Sequence, residues 1–232
     1  MSVSIERHLD DRTMDALVQL YTDAFAPLRT ATATRQTLYD HELRGLLCHD
    51  AATTFVVRSP DGLPRGFALT VTDLKLIPWI NPEFFAARFP DHYATGRIAY
   101  QPALAVTDGH RSAANLLLLN RAMGEHFAPH DMIIAFDCCT EVITKGLPEF
   151  GAQAWSRMHD VTIGAIDQQV YWAIHLRPGT GSLERFDTID GPWSSAASST
   201  PPAEDGEVII DLRDRASGGV VDRSTHDAGT PS

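Results

Sequence analysis

The run Leu104-Ala105-Val106-Thr107-Asp108-Gly109-His110-Arg111-Ser112-Ala113-Ala114-Asn115-Leu116-Leu117 constrains the fold most. An apolar, β-type stretch ends at Val106. A polar turn carrying Asp108-Gly109 follows, and an apolar helix opens at Ser112 and runs to Phe127. A second apolar run, Met132 to Phe136, reads as a buried-type strand. Strand, helix and strand in this order form a crossover unit, whose two strands lie parallel in one sheet.

The flanking segments extend this pattern. Ser2 to Arg7 alternates and reads as a strand. Thr13 is in place to cap a helix in which Leu17, Leu20, Tyr21, Ala24, Phe25 and Leu28 recur on one face, with Pro27 disturbing its last turn. A second helix is expected over Thr34 to Cys48, with Tyr39, Leu43, Leu46 and Leu47 inward. Two β-rich runs, Thr53 to Arg58 and Gly66 to Val71, flank Pro60-Asp61-Gly62 and predict a hairpin. Residues 73–97 are loaded with aromatics (Trp79, Phe84, Phe85, Phe89, Tyr93), and Pro82-Glu83 can open a short helix through Arg88. Ile98 to Val106 reads as a strand interrupted by Pro102. A helix is expected over Thr140 to Phe150, damaged by Pro148 near its end. Val161 to Ile166 and Gln169 to Leu176 read as two closing strands. The expected fold class is α/β, with a mixed central sheet flanked by helices.

Composition sets the outer bounds. At 44% hydrophobic residues, 232 residues suffice for a full core. The composition changes near residue 176, so residues 1–176 are expected to form the domain. Residues 177–232, rich in Ser, Gly, Pro and Asp, are expected to be a mostly disordered tail, with Val208 to Leu212 as its one sticky spot. A net charge of -11 argues against non-specific nucleic-acid binding. No apolar stretch approaches the roughly 20 residues of a membrane span. The N-terminus carries no secretory pattern, and the cysteines, two of them adjacent, fit a reducing, cytoplasmic compartment.

The succession of elements over residues 2–176, together with the Val106 to Leu117 run, resembles the GNAT family of acyl-CoA N-acyltransferases. That family ends its fourth strand in Val and opens the next helix with Arg/Gln-x-x-Gly-x-Gly/Ala. Here Val106 and Arg111 match, whereas Ala114 stands at the first glycine, a mild departure, and Leu116 at the second Gly/Ala, a more serious one. The resemblance implies a GNAT-like fold in which Val106, Gly109, His110, Arg111, Ser112, Ala113, Ala114 and Asn115 hold acetyl-CoA or another acyl-CoA. Unpaired N–H groups at a helix N-terminus are suited to a pyrophosphate. It also implies a bulge, which Pro102 would suit, and splaying of the two parallel strands. The family's second landmark pairs Asn with a Tyr that protonates the leaving thiolate. The corresponding positions here are Thr140 and Leu147, followed by Glu149-Phe150-Gly151-Ala152.

Among acids and bases, Tyr100 is the candidate catalytic hydroxyl. His92 and Glu83 in the aromatic insert are further candidates to reach the cleft. Asp137, Cys138 and Cys139 end a buried strand, where ligands gather in α/β proteins. A nucleophilic Cys138 would need a base, for which His159 is the loose candidate; an inert thiol is the commoner case. The histidines show no zinc spacing, so no metal is expected. The insert aromatics are either ordinary core or the lining of an acyl or acceptor pocket.

The resemblance therefore implies transfer of an acyl group to a primary amine on a small molecule or peptide. Homodimerisation, the acceptor and the acyl length stay open. Two other readings also remain. One is a GNAT-shaped binding or scaffold protein without activity, motivated by Leu116 and Leu147. The other is a relative of the long-chain N-acyl synthases that takes its donor from acyl carrier protein.

Overall fold

Five strands form where apolar side chains alternate or run continuously: β1 (Ser2–Glu6), β2 (Ala52–Arg58), β3 (Pro64–Val71), β4 (Ile98–Val106) and β5 (Ile133–Ala135). They lie in the order β1-β2-β3-β4-β5. The first three pairings are antiparallel and the β4–β5 pairing is parallel, so the sheet is mixed, as expected. The computed structural model describes residues 2–32, 35, 37–107, 109, 112–139, 142, 143, 146–169 and 171. One compact unit spans Met1–Ala173. The tail expected from residue 177 lies outside the described residues.

Helices cover both faces of the sheet. On one face, α1 (Asp11–Phe25) and α3 (Asp40–Leu47) contribute Leu17, Tyr21, Leu43 and Leu47 to a core shared with Val56, Phe67, Leu69 and Tyr100. A short α2 (Leu28–Ala31) follows α1. On the other face, α6 (Ser112–Phe127) seats Leu119, Met123 and Phe127 on Phe55, Val57, Ala68 and Ala99. Trp155 of α7 (Leu147–Ser156) joins that layer, its indole N–H donating to the Asn120 carbonyl at 2.5 Å. The parallel pair forms because α6 carries the chain back across the sheet between β4 and β5.

Between β3 and β4 lie a 3₁₀ turn (Leu74–Leu76), α4 (Pro82–Arg88) and α5 (Pro90–Ala94). Phe85 is buried in the first core, with Trp79, Phe84, Phe89 and Tyr93 packed at its margin. The aromatic insert is thus core on its inner side. The hairpin turns where expected: the Gly62 N–H donates to the Ser59 carbonyl at 2.9 Å.

Several local expectations change. Asp10, rather than Thr13, caps α1: its carboxylate accepts from the Thr13 N–H and from the Thr13 hydroxyl, both at 2.9 Å. A carboxylate one turn earlier outcompetes a hydroxyl that is needed inside the helix. The second long helix is shorter, beginning at Asp40. Tyr39 is its N-cap and is 56% exposed, with the Arg35 guanidinium 4.4 Å from its ring centroid, so it does not point inward. β4 runs unbroken from Ile98 through Pro102 to Val106. Pro148 stands in the first turn of α7 instead of damaging the end of an earlier helix. Its missing N–H costs nothing there, because first-turn N–H groups have no carbonyl partner within the helix. Val161 to Ile166 forms no strand, and Ile163 is 51% exposed. β-rich composition makes a strand only where a ladder partner exists. The second closing strand falls almost wholly outside the described residues.

Candidate functional site

β4 departs from regular pairing at one place. Leu69 of β3 faces Ala103 and Val71 faces Tyr100, so a step of two residues on β3 matches three on β4. The extra residue lies at Gln101–Pro102 and is a β-bulge. Side-chain direction records it: Tyr100 and Ala103, an odd number of residues apart, share the core beneath α1. Proline fits here because it has no N–H to offer a ladder.

The bulge coincides with a parting of strands. Ile98, Ala99 and Tyr100 pair with Ile133, Ile134 and Ala135, and there the β4–β5 ladder ends. β4 continues to Val106 without a partner on this side among the described residues, while the other chain leaves through Phe136 and Asp137. Beyond Tyr100 the β4–β5 ladder has no further pairs among the described residues, a gap in the pairing whose apex is Tyr100. α6 begins a few residues beyond the open end of β4. Parallel strands that part after three pairs, a bulge at the parting, and a helix start beyond the longer strand form the arrangement implied by the resemblance. The fold is GNAT-like.

Val106 ends β4 opposite Gly66, where a Cβ on Gly66 would lie 2.8 Å from Val106 Cγ1. Gly109 adopts φ 126, a conformation that glycine tolerates. The Ser112 N–H and hydroxyl both donate to the Gly109 carbonyl, at 3.1 and 2.9 Å, where the chain enters α6. Ala113 and Ala114 are exposed in the first turn of α6. Asn115 is only 2% exposed, and its Oδ1 has no hydrogen-bond partner among the described residues. Leu116, in place of a small residue, is half-buried. His110, Arg111 and Thr140 lie outside the described residues.

Tyr100 stands at the apex of the gap and is 1% exposed. The Trp79 indole N–H donates to its hydroxyl at 3.0 Å, and the hydroxyl donates to the Asp137 carboxylate. Burial first, and then the charge of Asp137, push the phenol far above its ordinary pKa. It stays protonated, and its proton is held by a carboxylate. Asp137 forms no ion pair among the described residues. Burial, followed by Asp137, also raises the Cys138 thiol to about 11, which makes it a poor nucleophile.

The other candidates lie apart. His92 sits 3.4 Å from the Asp131 carboxylate, which also holds Arg97 at 2.6 Å, just before the first residue of β4 and so at the end of the strand away from the gap. Glu83 is exposed in the first turn of α4. His159 packs where α7 crosses Gly124 of α6. No group of three His, Cys, Asp or Glu residues positioned to hold a metal occurs among the described residues. No helix among them is long and apolar enough to cross a membrane. Two surface hollows, of about 250 and 280 Å³, lie elsewhere, beside Lys75 and Tyr93 and beside Glu42 and Leu76.

Sequence reasoning missed the Trp79–Tyr100–Asp137 chain. Asp137 was visible as a strand-end carboxylate, but Trp79 sits among insert aromatics that look alike in sequence.

No family model matches the chain, and no curated protein sequence matches it. Solved structures do align with it. One is the aminoglycoside 6'-N-acetyltransferase from Enterococcus faecium, at 13% identity and TM-score 0.39, over 59% of this chain and 61% of that one. Another is a ribosomal-protein-alanine N-acetyltransferase from Brucella melitensis biovar Abortus 2308, at 16% identity and TM-score 0.43, over 73% and 99%. A third is an aminoglycoside acetyltransferase from an uncultured soil metagenomic sample, crystallised with sisomicin, at 14% identity and TM-score 0.43, over 75% and 97%.

Proposed function

We propose that the protein is an N-acyltransferase that takes an acyl group from a coenzyme A thioester and places it on a primary amine. The observation that carries this reading is the gap between β4 and β5, with the Pro102 bulge at its apex and the start of α6 beyond its open end.

The residues present fit such a donor. Ala113 and Ala114 are small, exposed residues in the first turn of a 16-residue helix, and the helix dipole favours a pyrophosphate there. The unpartnered Asn115 Oδ1 suits an amide N–H of the donor's arm; a buried acceptor left unpaired costs about 1–3 kcal/mol. Val106, Gly109, His110, Arg111 and Ser112 to Asn115 are the donor-holding set in this reading. The bound donor supplies an activated acyl thioester. The chain's own part is to hold it along the free edge of β4 and to bring an amine to the apex, where Tyr100 lies. Packing of the insert aromatics against the core favours a short acyl group over a long one.

Leu147 favours a second reading, a binding protein without turnover, because a leucine at the first position of α7 has no proton to give a leaving thiolate. Thermal shift with coenzyme A, acetyl-CoA and a long-chain acyl-CoA tests the donor site. Ligand at 100 times its dissociation constant stabilises by about 2.7 kcal/mol. Arg111→Ala is expected to weaken that binding by about 1–3 kcal/mol through loss of a charge-assisted phosphate bond. No shift with any of the three ligands would remove the reading. Shifts without turnover across a broad amine panel would leave the binding protein.

A further inference from the structure

We infer that Asp137 is the residue that receives the cationic amine of the acceptor, and that Tyr100 and Trp79 are positioning residues that aim its carboxylate. The inference rests on the acyltransferase reading and assigns the acceptor side of the same gap.

Three observations carry it. The first is place. Ala135 is the last residue of β5 to pair with β4, opposite Tyr100, and Asp137 follows two residues later where the strands part. Tyr100 belongs to the core beneath α1, so the carboxylate that accepts its hydrogen bond sits on that face of the apex. α6 lies on the opposite face, so the donor-holding helix and the carboxylate approach the gap from different sides.

The second is orientation. A strand-end carboxylate in water rotates freely, but this one is held from below. Trp79 donates to Tyr100, and Tyr100, with its hydroxyl oxygen occupied, has its proton directed at Asp137. Trp79 is packed at the margin of the first core, and Tyr100 is fully buried, so the relay is rigid at its base. One carboxylate oxygen accepts the phenol, and Asp137 itself is exposed.

The third is charge. No basic side chain pairs with Asp137 among the described residues. The neighbouring Tyr21, Tyr100 and Cys138 all feel its negative field as a rise in pKa, although burial is the larger cause in each. A fixed, uncompensated carboxylate at a cleft apex is a site for an ammonium group, and a chain of net charge -11 draws cations toward it. The same geometry assigns Tyr100 to positioning in this inference, because its hydrogen bond is already directed at a carboxylate.

The test follows the Trp79 indole N–H resonance of the full chain by NMR, assigned with Trp79→Phe, because that proton lies at the base of the relay. Methylammonium is the probe and acetamide the uncharged control. A saturable shift with methylammonium alone is expected, weakened about tenfold or more in Asp137→Asn. Asp137 is exposed, so this variant is expected to fold, and its melting temperature checks that. Tyr100→Phe is expected to weaken the probe less, because it frees the carboxylate without removing it. An equal shift with acetamide, an unchanged response in Asp137→Asn, or no saturable response in the native chain would overturn the inference. Thermal shift with coenzyme A, run on the same samples, separates the two failures. Donor binding without an ammonium response removes the Asp137 assignment alone, and loss of donor binding removes the acyltransferase reading beneath it.

Discussion

Gly66→Ala tests whether the end of β4 is held as tightly as the structure shows. A Cβ at this position would lie 2.8 Å from Val106 Cγ1, 2.9 Å from the Ala105 carbonyl oxygen and 3.1 Å from Val57 Cγ1. Two of these neighbours cannot yield cheaply. The carbonyl belongs to the β3–β4 ladder, and Val57 is fully buried. Overpacking of this kind costs about 1–3 kcal/mol. Alanine regains about 0.5–1 kcal/mol over glycine in a strand, because the unfolded chain is less free. Taking the middle of each range, the balance is a loss of about 1 kcal/mol, or a fall in melting temperature of roughly 2–4 °C for a domain of this size. Adding Val106→Ala removes the methyl carbon at 2.8 Å and is expected to recover part of the loss, a coupling of about 1 kcal/mol in a double-mutant cycle. Val106 also leads into the turn before α6, so under the acyltransferase proposal coenzyme A affinity is expected to fall in Gly66→Ala beyond what stability explains. A variant as stable as the native chain, with additive effects of Val106→Ala, would refute the close approach.

Asp10→Ala removes the N-cap of α1 and is expected to cost about 0.5–2 kcal/mol by thermal or urea unfolding. Alkylation by iodoacetamide, followed by mass spectrometry, is expected to reach exposed Cys48 first. Cys138 should react slowly until the pH approaches about 11, because burial and the Asp137 charge hold its thiol protonated. Burial, and next His130, lower the pKa of His126, so the folded state binds this proton less well than the unfolded chain does. The associated stability is present above the unfolded histidine pKa of about 6.5 and is lost as the pH falls through the lower folded value. Melting curves of His126→Gln are expected to show a weaker decline over that window.

The crossover unit was legible in sequence because each part carries its own signal. Val106 ends an apolar run, Gly109 marks the turn that follows, and Leu119, Met123 and Phe127 give α6 its buried stripe. The Pro102 bulge came only from the resemblance, since the residues alone read as a strand interrupted at Pro102, which the structure shows running through. Helix boundaries were harder to read. Asp10 and Thr13 are both good caps, and their order along α1 is decided by which side chain the core needs. The relay from Trp79 through Tyr100 to Asp137 joins three segments that no spacing rule connects; only the sheet register brings residues 100 and 137 together. Val161 to Ile166 had the composition of a strand but no ladder partner among the described residues, and composition carries no information about partners.

Pro102 has a consequence for how the chain behaves among its neighbours. A strand with one free edge is a template on which any passing extended segment can align, and most proteins shield such edges. β4 must keep its edge bare if the gap is to admit a ligand. The proline withholds a donor midway along that edge, and the bulge throws the remaining groups out of step, so a foreign strand finds no continuous run of partners between Tyr100 and Val106. The irregularity at which the β4–β5 pairing ends is therefore also a guard on the bare edge of β4 among the described residues.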